Sequence, residues 1–330
     1  MKSVINHRIL TSAALFLFAA SGILHAQVSK SYEQLKAEHP GFIQIPGRLI
    51  RPDCVHQVPS GALIEFGKDG NPTGDVKMNG KVIAHYESCS EPSIDTRFMG
   101  SQHGDAPNPS GYGDGWIEAS QWNLPLKSGD NIDELYNFWH VPQPPAASGA
   151  LVFWFNGLEP ATENWIMQPV LQWGDNGSFG GDYYTFASWL VGPEGSGFAF
   201  VSSPLNVNPG DYLQGINDQN GSSGGVLSYF VNSYDTNTNQ ASIINFTSQG
   251  YQWVWAFAGV LEAYNVTSCS QFPSNDVSHF YQTAIAHGYP AYDFYKTQKF
   301  YGAEYDYFGS GGPQCGFSVS ISGTTSTLNY

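Results

Sequence analysis

The chain has 330 residues and a formal net charge of −15, yet only 12% of it is charged. Between Lys127 and Lys296 there is no Lys or Arg, against 14 Asp and Glu residues. Binding to phosphate needs cations, so nucleic acid and anionic membrane surfaces are excluded as partners of that region. Few cations also means few ion pairs to lose when carboxylates protonate, so tolerance of acid is expected.

The N-terminus opens with Lys2, His7 and Arg8, followed by an apolar run at 9–20. A run of about 12 residues falls short of the roughly 20 that span a bilayer. With the small residue Ala26 ahead of Gln27, residues 1–26 read as a signal peptide. No second run of this kind follows, so a secreted, extracellular or periplasmic monomer without a membrane segment is expected. All four cysteines, Cys54, Cys89, Cys269 and Cys315, lie in the exported part. An even count there favours disulfides over metal ligation, and no metal or other cofactor is expected. Chain order pairs Cys54 with Cys89 and Cys269 with Cys315, with two other connectivities formally open.

Residues 29–39 read as a short helix stopped by Pro40-Gly41. From 42 to 89, short apolar runs alternate with turn signals, of which Asn79-Gly80 is a strong hairpin signal. Residues 27–90 thus form a small β-rich N-terminal domain or pro-segment. Residues 91–115, rich in Pro, Gly, Ser and Asp, have linker composition and mark a boundary open to proteolysis. In 116–330, aromatic and β-branched runs are broken by Gly, Asn, Asp and Pro. Candidate strands fall at 134–141, 150–157, 164–173, 182–191, 197–203, 211–217, 226–234, 241–247, 251–266, 277–285 and 315–322. Many short strands with little helical periodicity define an all-β antiparallel sandwich or barrel.

The most informative run is Trp165 to Trp173. In a strand, Gln168 and Gln172 share a face with Ile166 and Val170. Two amides in an apolar strand are solvated, paired across the sheet, or used in a site. Around this run the order of segments resembles the glutamic peptidases called eqolisins, of the scytalidoglutamic peptidase type. The landmarks are Trp122, the stretch Asn137-Phe138-Trp139-His140-Val141-Pro142, and Trp154-Phe155-Asn156-Gly157-Leu158-Glu159. Ile166-Met167-Gln168, the Tyr-rich strand centred on Trp189, the Gly210-Asp211 turn and the long strand at 251–266 follow in order.

The resemblance implies a concanavalin A-like antiparallel sandwich over 116–330, with a pro-segment in front. It also implies a Gln–Glu dyad acting on polypeptide, in which the Glu activates water and the Gln amide stabilises the oxyanion. The Gln carries over onto Gln168. The Glu position falls on Phe257 or Ala258, and the acid that precedes the family's Trp is replaced by Ser188. A displaced carboxylate, Glu262 or Glu159, therefore has to supply the base. By strict alternation Glu262 shares a face with Ala258, about 13 Å along the strand. Trp154, Gln172, Trp189 and Trp255 are the candidate substrate-binding residues.

The alternative is a non-catalytic or carbohydrate-binding, lectin-like sandwich acting on polysaccharide. Its aromatic side chains would stack on sugar rings, but Glu304-Tyr305-Asp306 is a weak version of a glycosidase carboxylate pair. His140, His279 and His287 are scattered without metal-ligand spacing.

Overall fold

A computed structural model describes residues 32–97, 115–124, 130–162, 165–192, 198–248, 251–287, 292–293, 300–304 and 315–330. The signal segment and most of the 91–115 stretch lie outside the described residues. One helix, α1 (Tyr32–Glu38), precedes β1 (Ile43–Ile45), β2 (Arg48–Ile50), β3 (Val55–Val58) and β4 (Ala62–Phe66). Next come β5 (Pro72–Met78), β6 (Lys81–His85), β7 (Ile94–Asp95), β8 (Gly115–Asn123), β9 (Asp130–His140) and β10 (Leu151–Pro160). The middle of the chain forms β11 (Ile166–Asp175), β12 (Gly180–Val191), β13 (Ala199–Ser202), β14 (Leu205–Val207) and β15 (Tyr212–Ser223). It continues with β16 (Val226–Asp235), β17 (Gln240–Ser248), β18 (Trp253–Tyr264) and β19 (Val277–His287). Short strands close the chain: β20 (Tyr292–Asp293), β21 (Tyr301–Glu304), β22 (Ser318–Ser322) and β23 (Thr325–Asn329).

The architecture is an all-β sandwich. A nine-stranded sheet runs β21-β8-β18-β10-β11-β12-β13-β3, with β14 also on β12. An eleven-stranded sheet runs β22-β23-β19-β9-β15-β16-β17-β4-β5-β6, with β20 on β19. Two apolar clusters lie between the sheets. One is built around Leu158, Met167, Phe246 and Trp253, the other around Trp139, Trp154, Leu171 and Phe186.

A third layer covers the far face of the nine-stranded sheet. There α1 and the small antiparallel sheet β1-β2-β7 pack Tyr32, Leu35, Ile45 and Leu49 onto Phe153, Phe155, Val170 and Trp189. Covered on both faces, β10 is buried at every position, and its first half, Leu151 to Phe155, is a continuous apolar run rather than an alternating one. Strand β17, by contrast, alternates buried and part-exposed residues, as a strand with one solvated face should.

Strands from the N-terminal region enter both large sheets. β3 pairs in parallel with β13, and β4 pairs in parallel with β17. The Asn79-Gly80 hairpin joins β5 and β6, with φ of 51° and 76° at the two residues, as a primed turn requires. Disulfides join Cys54 to Cys89 and Cys269 to Cys315. Among the described residues no helix is long and apolar enough to cross a membrane.

Candidate functional site

The site is best built from β11, where Ile166, Val170 and the two glutamines face the N-terminal layer. On β10, the pairs Phe155↔Val170 and Leu158↔Met167 put Gly157 opposite Gln168 and Glu159 two pairs further on, the next residue on that face. A side chain at Gly157 would meet the Met167 carbonyl at 3.1 Å and Ile166 at 3.3 Å, so glycine keeps this row open. Beyond Gly157 stands Phe257 of β18, and on the other flank Gln168 pairs with Trp189. The row is therefore Trp189, Gln168, Gly157, Phe257.

Gln168 is 1% exposed, and among the described residues neither its amide nitrogen nor its oxygen has a hydrogen-bond partner. The nearest carboxylate by register is Glu159, a diagonal cross-strand neighbour on the same face. Such pairs lie roughly 7–8 Å apart at Cβ, within reach of two long side chains. Glu159 is itself buried and ion-paired to Arg97 of the covering layer. Arg97 also pairs with Asp95 at 2.7 Å, and Asp95 takes Arg48 at 2.8 Å. Arg48 donates through Nε to the Gly192 carbonyl at 3.2 Å, spanning to the far end of β12. Burial pushes the Asp95 carboxyl up, but the charges of Arg97 and Arg48 outweigh it and hold it below its ordinary value.

Glu262 belongs to a different row. It pairs with Phe153, whose other neighbour is Gln172, and so lies four residues away from Gln168 along the sheet. That is about 13 Å, too far for direct contact. Its Oε1 accepts from the Gly47 backbone N–H at 2.7 Å and the Tyr264 hydroxyl at 2.6 Å, and its Oε2 accepts from Trp116 Nε1 at 3.0 Å. Gln44 donates to Thr96 Oγ1 at 2.9 Å, and Thr96 shares a 2.8 Å bond with the Tyr264 hydroxyl, extending the chain into the cover. Burial pushes the Glu262 carboxyl up to about 7, against the downward pull of those three hydrogen bonds and of Arg97.

Strict alternation along β18 does not hold. A β-bulge shifts the register between Phe257 and Val260. Ala258 turns toward the space between the two large sheets, while Phe257 and Glu262 share the face of Gln168. Of the two positions on which the resemblance puts the carboxylate, Phe257 lies on the face of Gln168 and Ala258 does not.

The four expected substrate-binding residues separate. Trp189 flanks Gln168 and stacks on Phe179 at 5.8 Å. Trp255 pairs with Glu159 and stacks on Phe257 at 6.5 Å. Trp154 is fully buried between the sheets, away from this face. The Gln172 amide is engaged in the β11–β12 turn, donating to the Gly174 and Phe179 carbonyls at 2.8 and 3.0 Å and accepting from Asn176 at 2.9 Å. Ser188 also turns between the sheets, where it donates to the Ser242 carbonyl at 2.6 Å. His279 is buried against Trp139 at 4.7 Å. The His287 side chain, the Glu304 side chain, Tyr305 and Asp306 lie outside the described residues.

The residues that sequence inspection missed are Gly47, Arg48, Asp95 and Arg97. One signal was available: Arg97 is the only Lys or Arg between Lys81 and Lys127. A single cation in an acidic stretch is a candidate for a buried ion pair.

Comparison with protein-family models gives no match, and comparison with curated proteins gives none. Among solved structures the fold is similar to scytalido-glutamic peptidase with a transition state analog inhibitor, at TM-score 0.40 and 16% identity over 65% of this chain and 97% of that one. It is also similar to SCP-B, a member of the Eqolisin family of peptidases in complex with the tripeptide Ala-Ile-His, at TM-score 0.38 and 16% identity over 65% and 99%. Aspergilloglutamic peptidase from Aspergillus niger gives TM-score 0.29 and 15% identity over 56% and 99%. These values describe a distant likeness.

Proposed function

We propose that this is an exported, acid-acting hydrolase of polypeptides, with Gln168 as oxyanion donor and Glu159 as general base. The observation that carries this is the Gln168 carboxamide, buried without a partner and diagonal to a carboxylate on the same face. An unpartnered buried amide is costly, about 1–3 kcal/mol, and such groups in native proteins call for an explanation. An amide N–H aimed at developing negative charge is one such explanation. Once freed from Arg97, Glu159 would have the chemistry of a general base within one water of that amide. Two disulfides support an oxidising compartment.

Hydrolysis of a denatured protein between pH 3 and 6 tests the assignment. Glu159→Gln is expected to lower kcat by at least about 100-fold, the scale of losing an essential acid–base group. Glu262→Gln should leave kcat within about threefold while lowering the melting temperature, because Glu262 holds the cover rather than the reacting group. Loss of turnover in Glu262→Gln with none in Glu159→Gln would exchange the two roles and overturn the assignment. A non-catalytic binding protein is the second reading, favoured by the ring of Phe257 in the dyad row. It predicts no turnover by any form of the chain.

A further inference from the structure

We propose that the N-terminal cover has two parts of different fate: residues 43–85 are permanent strands of the mature protein, and residues 94–97 are the releasable plug over Glu159. This rests on the assignment of Gln168 and Glu159 as the reacting pair. The two parts differ in how they are held.

The first part is built into the sandwich. β3 hydrogen-bonds to β13 in one large sheet and β4 to β17 in the other, so a single stretch of chain staples the two sheets together. Val58, Ala62, Ile64, Phe66 and Val76 are buried in the core between them. Removing this stretch would expose that apolar surface and turn β13 and β17, both internal strands, into sheet edges, a large cost to the folded sandwich. The Gly47 N–H that caps Glu262 lies in the same part, in the turn between β1 and β2, a short stretch of chain ahead of β3.

The second part is held by polar contacts of one short segment. β7 is two residues long and pairs with β2 alone. Beyond it, the plug is fixed by polar contacts: Thr96 N–H to the Gly47 carbonyl at 3.0 Å, Thr96 Oγ1 with Gln44 at 2.9 Å and with the Tyr264 hydroxyl at 2.8 Å, the Trp116 N–H to the Arg97 carbonyl at 2.8 Å, Asp95 with Arg48 at 2.8 Å, and the ion pairs of Arg97. These contacts are polar and confined to four residues, of which only Ile94 packs against the apolar cluster beneath, whereas β3 and β4 carry core side chains; the plug is therefore the lower-stability unit. The two candidate carboxylates are thereby separated in role: Glu262 anchors the permanent part, and Glu159 is released with the plug.

The test inserts a site-specific protease sequence within 98–114, outside the described residues, and cuts the purified full-length protein there. Each disulfide then lies within one fragment, so only folding holds the pieces together. The two fragments should co-elute at the size of the uncut protein and separate in urea without reductant. Amide exchange at Thr96 and Trp116 should quicken at least tenfold on cutting while exchange in β3 and β4 is unchanged. If the inserted sequence resists the protease, exchange in an Arg97→Gln variant is expected to show the same contrast. Departure of the N-terminal fragment under native conditions, or equal exchange changes in plug and strands, would overturn the proposal. Neither readout requires catalysis, so loss of the functional assignment would leave this result separately legible.

Discussion

An Arg97→Ala variant should be destabilised by about 3–5 kcal/mol near neutral pH, the scale of removing one member of a buried ion pair. Arg97 is 5% exposed and holds two carboxylates, Glu159 and Asp95, in the interface between the cover and the nine-stranded sheet. Truncation would strand Glu159 in an apolar layer without its counter-charge. Its guanidinium also lies over the Trp116 ring at 5.9 Å, so a cation–π contact is lost along with the ion pairs. Lysine should recover part of the loss but not all, because a single ammonium cannot reproduce the fork that meets Asp95 and Glu159 together. The ion pair is a contribution that acid removes. Asp95 has its carboxyl below the ordinary 3.8, so its share is present above that pH and is lost as pH falls through the lower, folded value. Urea denaturation of wild type, Arg97→Lys and Arg97→Ala at pH 7 measures the series; a loss under 1 kcal/mol for alanine would mean the ion network carries no weight.

The second large effect is a stability maximum on the acid side of neutrality, at about pH 4.5, and its sign follows from three carboxyls raised to about 7, with Asp218 raised in the same direction. Burial pushes Glu262 up to about 7 from 4.5, and burial with the charge of Asp218 pushes both Asp133 and Glu134 up to about 7. Each of these groups keeps its proton in the folded chain after the unfolded chain has lost it. Stability therefore rises as pH falls from about 7 toward the unfolded values. For the fully buried Glu262 alone this amounts to about 3 kcal/mol, taking 1.36 kcal/mol per pH unit. Two imidazoles oppose it. Burial lowers His279 to about 3 and His56 to about 4, so their contributions are present above 6.5 and decline below it. Three carboxyls against two imidazoles leave a net gain down to about pH 4.5, below which His279 and Asp95 dominate and stability falls. Melting temperatures from pH 3 to 8 trace this curve. Glu262→Gln should flatten the limb above pH 5, and a variant keeping the full slope would remove Glu262 from the explanation.

Much of the sandwich was legible because binary patterning was clear. The candidate strands at 241–247 and 150–157 fall on β17 and β10, and Asn79-Gly80 gave a hairpin. The third layer was not legible, because a run of apolar residues does not say whether helix, sheet or loop covers it. Nor was the parallel docking of β3 and β4 onto different sheets, since non-local pairing leaves no local signal. At the site, Gln168 and its face could be read from period-2 spacing. The position of Glu262 could not, because the bulge after Phe257 breaks that period and inverts the faces beyond it. The choice between Glu159 and Glu262 thus turned on one inserted residue and on an arginine in a segment of linker composition.

The most direct measurement is the rate of hydrolysis of a denatured protein at pH 4 by the chain cut within 98–114, beside an identically cut Gln168→Ala variant. The oxyanion role predicts turnover by the cut protein and a rate at least about 100-fold lower in the variant. Equal rates in the two preparations, or no turnover in either, would contradict it.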